Sequence, residues 1–320
     1  MYIVMNLIYL AKPVYGGWVT FTAHLSLKYD YPIYKISKRN ESFKRKFGYS
    51  VKYQNQDAEA IRDLQYKEKF FITCCDKNYY KYLYLFDDNT KIVIHDPTEV
   101  TGKKALPILE HLRRFDVITI RPGMTEYLKQ IHGIESTYKP HPFYEYTINE
   151  LPKVTNVSIS RIDFDKHTDI IIKANNLLRN DDEDATTIDI YGAKNDLYCY
   201  HKLTKEQELN LQDFYYGNFK KDFSELDKIL SEAKYCVDLS AIKNDGGGTQ
   251  YTFLEAIYQG AILILNKKWI TKDSIFIPNE NCLVVTDEND LYKLLQSDTD
   301  YSHIRHNAYK LLEPHITVQY

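Results

Sequence analysis

The sequence predicts an α/β protein built on two parallel sheets, and three observations carry that expectation. Short β-branched apolar runs alternate with amphipathic stretches along the chain, the pattern of strand–helix units. The alternation breaks once, at Tyr138-Lys-Pro-His-Pro-Phe-Tyr144 with Pro152 soon after, and then starts afresh. The 320 residues make about two domains, and 44% hydrophobic residues suffice for two cores.

In the first series the runs Tyr2–Leu10, Phe70–Cys74, Lys91–His95 and Val117–Ile120 read as strands. Helices are expected over 18–28, 55–66, 76–86, 103–114 and 124–132. The proline cluster sets the boundary, giving domains 1–150 and 151–320, with the last helix free to pack back on the first domain. The second series predicts strands Asn156–Ser160, Thr187–Tyr191, Phe214–Tyr216, Tyr235–Leu239, Ala261–Leu265 and Leu283–Val285. Helices fall between them at 166–178, 203–211, 222–233 and 250–259, and again from 288 onward. Two Rossmann-like domains in tandem follow. Ligands of such sheets sit beyond the carboxyl ends of the strands, so the active site is expected in a cleft between the domains.

Composition narrows the class. No apolar run approaches the roughly 18–20 residues that span a bilayer, and the opening segment lacks the basic start of a signal peptide. Five cysteines, with Cys74 and Cys75 adjacent and Cys199, Cys236 and Cys282 far apart, form neither a disulfide framework nor a metal pattern. Reduced, mostly buried thiols in a cytoplasmic protein are the expectation. The net charge of −3 hides an asymmetry. Residues 1–150 hold 22 basic and 17 acidic side chains, a net of +5, and residues 151–320 hold 19 and 27, a net of −8. Much of the positive charge lies in one stretch with Lys35, Lys38, Arg39, Lys44, Arg45, Lys46 and Lys52, interleaved with Phe43, Phe47, Tyr49 and Tyr53. Such a stretch suits a phosphate backbone and an unstacked base; it is equally what a solvated loop looks like. The 29 tyrosines, with abundant Asn, Lys and Ile, fit an AT-rich coding sequence of the kind found in phages, viruses and some bacteria.

Three segments carry chemistry. In Ser160-Arg-Ile-Asp-Phe-Asp-Lys166 a cation ends a strand and another opens the next helix, where the two could clamp a pyrophosphate or merely face solvent. In Asp245-Gly-Gly-Gly-Thr-Gln250 three glycines precede a helix that ends at Gly260. Gly246, Gly247 and Gly248 would let the backbone approach a ligand, with Thr249 and Gln250 at the helix start and Glu255 beyond its first turn, placed for sugar hydroxyls. An ordinary turn before an amphipathic helix reads the same way. In the first half, Pro13-Val-Tyr-Gly16-Gly17 follows a strand, and Ile92-Val-Ile-His95-Asp96 ends one. A lone histidine there is as readily a structural hydrogen bond.

Taken in order, these segments resemble the retaining GT-B glycosyltransferases that use nucleotide sugars and carry the E-x7-E motif. Val157-Ser-Ile-Ser-Arg161-x4-Lys166 is similar to the family's phosphate-binding strand and helix, and Ile188-Asp-Ile-Tyr-Gly192 to its next strand. Tyr215-Tyr-Gly217-Asn218 through Val237-Asp-Leu-Ser240 resembles the base-binding loop, helix and strand, and Glu255-Ala256 with Gly260 the second glutamate. The family's first glutamate stands eight residues earlier, where this chain has Gly247. Asp245 is the nearby carboxylate, at a spacing that would need a differently folded loop. More distantly, the chain resembles the bacteriophage DNA α-glucosyltransferases.

The resemblance implies a GT-B fold and transfer of a sugar, with retention, from a UDP-sugar or related donor to a hydroxyl. It gives Arg161 and Lys166 the leaving diphosphate, His95 the sugar, and Glu255 the ribose. Gly17, Gly217, Asn218, Gly247, Gly248, Thr249 and Gln250 would line the donor, and Asp116-Val-Ile-Thr-Ile-Arg121 would lie near the acceptor side. No cofactor and no metal are implied. The implied acceptor is DNA with a hydroxymethylated base, held by Lys38, Arg39, Lys44, Arg45 and Lys46. A glycan, lipid or protein acceptor, or an inactive nucleotide-sugar binder, are the alternatives, the last favoured by Gly247.

Overall fold

The computed structural model describes residues 5–12, 16–36, 47–64, 68–102, 105–241, 248–271 and 274–320. The chain divides into two compact units, Met1–Glu145 with Pro314–Tyr320, and Tyr146–Glu313. Each is a Rossmann-like α/β unit on a parallel sheet.

In unit 1 the strands are β1 (Met5–Leu10), β2 (Ile33–Ile36), β3 (Gln54–Gln56), β4 (Lys69–Cys75), β5 (Lys91–Ile94), β6 (Asp116–Thr119) and β7 (Thr137–Tyr138). Among the described residues they form one sheet in the order β3-β2-β1-β4-β5-β6-β7. Helices α1 (Gly17–Tyr29), α2 (Ala58–Leu64), α3 (Leu106–Leu112) and α4 (Pro122–His132) connect them. β1, β4 and β5 are almost wholly apolar and buried, as strands covered on both faces must be. The last residues of the chain belong to this unit. The Tyr320 ring stacks on Phe71 at 5.7 Å and meets Phe21 edge-on at 5.8 Å, while its hydroxyl donates to the Pro140 carbonyl.

Unit 2 carries β8 (Thr155–Ile159), β9 (Ile188–Tyr191), β10 (Tyr215–Gly217), β11 (Ala233–Asp238), β12 (Ile262–Asn266) and β13 (Leu283–Val285), in the order β10-β9-β8-β11-β12-β13. Its helices are α5 (Thr168–Asp181), α6 (Phe223–Leu230), α7 (Tyr251–Tyr258), α8 (Glu288–Leu295) and α9 (Ser302–Tyr309). The strand order reverses between β8 and β11, where Val157 pairs with Cys236. That reversal opens a crevice above the carboxyl ends of the two strands. Lys153 fixes the far end of the adjacent helices. Its ammonium donates to the carbonyls of Ser231 and Gln259, at the ends of α6 and α7, where helix dipoles favour a cation.

Several expectations shift. The helix read over 76–86 is a 3-10 turn at Tyr80–Leu85, and that over 203–211 is a π-helical turn at Tyr198–Glu206. Tyrosines and lysines recur through 76–86 and 198–206, and their amphipathic side chains blur the periodicity. The sequence reading predicts no strand at β2 or β3, because β2 is only four residues long and β3 is short and polar. Lys35, counted in the basic stretch, lies within β2, is fully buried, and donates to the Lys12 carbonyl at 3.2 Å.

The chain leaving β9 makes one close approach to the chain leaving β8. Gly192 has φ +148°, and a Cβ there would sit 1.8 Å from the Ser160 carbonyl oxygen. Its amide donates to the Gly217 carbonyl at 2.9 Å, joining the ends of β9 and β10. At Gly217, with φ +109°, a Cβ would meet nothing within 4 Å. Gly192→Ala is therefore expected to destabilise by at least about 2 kcal/mol through backbone displacement. Gly217→Ala should cost only the ~1–2 kcal/mol of an unfavourable φ. Urea denaturation of both variants checks the ranking.

Candidate functional site

The crevice between β8 and β11 brings Lys166 and Asp238 together. Lys166, in the loop after β8, is 9% exposed. Its Nζ donates to Ser240 Oγ at 2.5 Å and Gln250 Oε1 at 3.4 Å, and lies 3.8 Å from Asp238 Oδ2. Asp238 ends β11, is 2% exposed, and accepts the Ser240 hydroxyl and, at 2.9 Å, the Ser240 amide. Gln250 is the N-cap residue of α7. One ammonium thus ties the loop after β8, the end of β11 and the start of α7. The Ala241 amide adds a second tie by donating to the Asp165 carbonyl at 2.8 Å.

Arg161 is placed differently. Its side chain is 60% exposed and pairs with Asp163 at 3.1 Å and Asp165 at 3.6 Å, the partners lying in the same loop. Asn195 donates to the other oxygen of Asp163 at 2.8 Å and fixes that carboxylate. Thr249 is buried and Gly248 has φ +98°, so the chain enters α7 through a left-handed residue. Glu255 is 1% exposed on the inner face of α7. Its charge is one of the influences that push up the Cys236 thiol and the Tyr146 phenol, each of which is raised mainly by burial. Gly217 ends β10, and Asn218 is exposed just after it.

In unit 1, Gly17 is the first residue of α1, and His95 follows β5. His95 is 7% exposed, with its ring edge-on to Phe21 at 5.0 Å. Its Nε2 lies 2.8 Å from the Thr73 carbonyl, an acceptor only, so Nε2 carries the hydrogen and Nδ1 keeps a lone pair. Burial pulls its pKa from 6.5 down to about 4, against the Thr73 hydrogen bond.

Sequence reasoning missed Glu99, four residues on in a 3-10 turn over Pro97–Glu99. It is 7% exposed; its Oε2 accepts the His95 amide at 3.1 Å and its Oε1 the Trp18 indole N–H at 2.7 Å. Burial, with Asp96 adding to it, pushes its pKa from 4.5 up to about 8, against those two donors. A Pro-Thr-Glu run reads as a solvated turn, and only the spacing from His95 hinted otherwise. Asp238 and Ser240 were seen as strand residues, not as partners of Lys166. Gly246, Gly247, Asp245 and the basic residues Lys38, Arg39, Lys44, Arg45 and Lys46 lie outside the described residues. Among the described residues no group of three or more His, Cys, Asp or Glu could hold a metal, and no helix is long and apolar enough to cross a membrane.

No family model matches the sequence, and no curated protein matches it. Solved structures do. An α-glucosyltransferase in complex with UDP and a 13-mer DNA superposes with a TM-score of 0.70 at 16% identity, over 99% of this chain and 96% of that one. HepE of Anabaena, in complex with UDP and glucose, gives 0.66 at 12% identity over 98% and 96%. TarM of S. aureus, in complex with fondaparinux, α-GlcNAc-glycerol and UDP, gives 0.59 at 15% identity over 79% of this chain. This chain spans about half of TarM, 54% of its length. The fold is GT-B. At these identities the likeness extends to the fold alone.

The His95 environment has a pH consequence for stability. Its folded pKa lies below its unfolded one, so the native state is unpenalised above about pH 6.5 and loses stability as pH falls toward 4. His95→Gln should remove that acid-side loss. Urea midpoints measured between pH 7 and 4 should fall less steeply in the variant than in the wild type.

Proposed function

We propose that the protein is a retaining glycosyltransferase that moves a sugar from a UDP-sugar to a hydroxyl group, with DNA bearing a hydroxymethylated base as acceptor. The observation that carries the reading is the buried Lys166 ammonium at the β8–β11 switch point, held by Ser240, Asp238 and Gln250 beside the start of α7. A nucleoside diphosphate leaving group develops negative charge as its bond to the sugar breaks. Lys166, Arg161 and the first N–H groups of α7, entered through Gly248, Thr249 and Gln250, are the donors that would stabilise it. That arrangement supplies the charge that a divalent metal supplies elsewhere, so the reaction is assigned no metal and no cofactor.

Arg161, 60% exposed, can turn from Asp163 and Asp165 to phosphate oxygens. Glu255, already out of water, is assigned the ribose hydroxyls, with Gly217 and Asn218 beside the base. Neutral His95 offers Nδ1 to a sugar hydroxyl, and Gly17 lets the backbone approach the donor. The donor phosphate would take the acceptor's proton as the sugar changes partners on one face.

Three observations support these assignments. Structures of the same fold hold UDP, with TM-scores of 0.70 and 0.66. One of them holds a 13-mer DNA and matches 99% of this chain. Residues 1–150 carry a net +5, including Lys38, Arg39, Lys44, Arg45 and Lys46. Incubation with UDP-glucose and hydroxymethylated DNA, beside a glycan panel, tests the proposal by release of UDP and the anomeric configuration of the product. Glucosylated DNA with the donor's configuration supports it. Transfer to glycans alone removes the DNA acceptor but keeps the transferase. UDP binding without turnover on any acceptor would leave the inactive nucleotide-sugar binder that Gly247 suggests.

Two variants sharpen the test. Arg161→Ala and Lys166→Ala should each lower kcat by about 10²–10³, the cost of a lost transition-state donor, with unchanged urea midpoints for the exposed Arg161. Near-wild-type turnover in both would sink the diphosphate assignment. Neutralising Lys44, Arg45 and Lys46 together should flatten the salt dependence of DNA affinity, by a slope of roughly 0.9 per lost phosphate contact. UDP affinity, measured by calorimetry, should be unaltered, and an unchanged salt slope argues against a DNA backbone in that stretch.

A further inference from the structure

Glu99 joins two places that the proposed reaction uses. Its Oε2 takes the backbone N–H of His95 and its Oε1 takes the indole N–H of Trp18, in the first turn of α1 next to Gly17. The Tyr80 hydroxyl donates to its main-chain carbonyl at 2.8 Å and anchors the turn. Both carboxyl oxygens therefore act as acceptors. An ionised carboxylate does that fully, whereas a protonated one keeps a single strong acceptor.

The groups facing Glu99 come from every element around it. Asp96 and His95 belong to its own turn, Trp18 to α1, and Arg121 to the start of α4. Cys74, Cys75 and Asp76 lie at the end of β4, and Tyr80 in the turn beyond. Burial pushes the Cys74 and Cys75 thiols and the Tyr80 phenol upward and pulls His95 down to about 4. Of these displaced groups, Glu99, at about 8, is the one that changes charge under mildly alkaline conditions.

We propose that Glu99 is a positioning residue for the transfer reaction: its carboxylate locks the His95 backbone to the first turn of α1, and does so in full only when ionised. The inference rests on the transferase reading for its consequence in turnover, but the lock itself has a readout that needs no substrate. The chain has two tryptophans, so Trp269→Phe leaves Trp18 as the sole indole reporter. Its fluorescence in the full-length variant should show one transition between pH 6.5 and 9.5, centred at about 8. That transition should vanish when Glu99→Gln is added.

In the wild type, kcat should rise through the same pH, and in Glu99→Gln it should be flat and low. Donor KM should move less than kcat, which a general loss of structure would not produce. Trp18→Phe removes a donor that holds the Glu99 pKa down, so the kcat limb should move to higher pH in that variant. No fluorescence transition, or one that survives Glu99→Gln, overturns the lock. A kcat limb that survives Glu99→Gln overturns the positioning role. Should Glu99→Gln fail to fold, the Trp269→Phe titration and the Trp18→Phe shift decide. A fluorescence transition lost in Glu99→Gln, with no turnover on any donor, removes the transferase reading while supporting the lock.

Discussion

The Lys166 ammonium is the interaction on which the unit 2 site depends. The strand order places β8 beside β11, although 73 residues separate Ile159 from Ala233 in the chain. The loops that follow those strands must then meet above the same crevice. Lys166 comes from the first loop, Ser240 from the second, and Gln250 opens the helix that continues from it. A buried cation is tolerated only with a counter-charge and satisfied donors, and Asp238 and Ser240 supply these. The order of strands thus dictates where a charge can be stored, and the stored charge dictates what can be bound.

Unit 1 solves the opposite problem with the same architecture. Burial keeps His95 neutral, and the carboxyl of Glu99 is shared between an amide and an indole. A neutral imidazole whose Nε2 hydrogen is committed to Thr73 can recognise a hydroxyl without attracting a second anion. On the proposed reaction, the diphosphate and ribose fall to unit 2 and the hydroxyl of the transferred sugar to His95 of unit 1.

Much of this was legible in the sequence because it follows from spacing. A cation at the end of a strand and another five residues later must share one loop, and Arg161 and Lys166 both lie between β8 and α5, the first exposed and the second buried. The apolar strands of both sheets were likewise legible, with Leu283–Val285 matched in full. What escaped depended on partners distant in sequence. Nothing local marks Lys35 as buried; only pairing with β1 and Gln54–Gln56 buries it. Glu99 sits among residues that read as a turn, and its meaning comes from Trp18, 81 positions away. The Asp238–Ser240 pair looked like the end of a strand because its role is defined by Lys166.

Arg161 and Lys166 are equal in charge and unequal in freedom, and this difference shapes the proposed catalysis. Arg161 faces solvent and pairs with Asp163 and Asp165, whose side chains are 20% and 14% exposed. Lys166 lies in a low-dielectric crevice where Asp238 and two hydrogen bonds fix its direction. A donor fixed in advance pays no reorganisation energy when charge develops on the leaving group. On the proposed reaction Lys166 is the donor already fixed, and Arg161 joins it in stabilising the departing diphosphate after leaving Asp163 and Asp165. Asp238 makes the fixing of Lys166 possible, because without its carboxylate the ammonium would be drawn toward water and would lose its fixed direction.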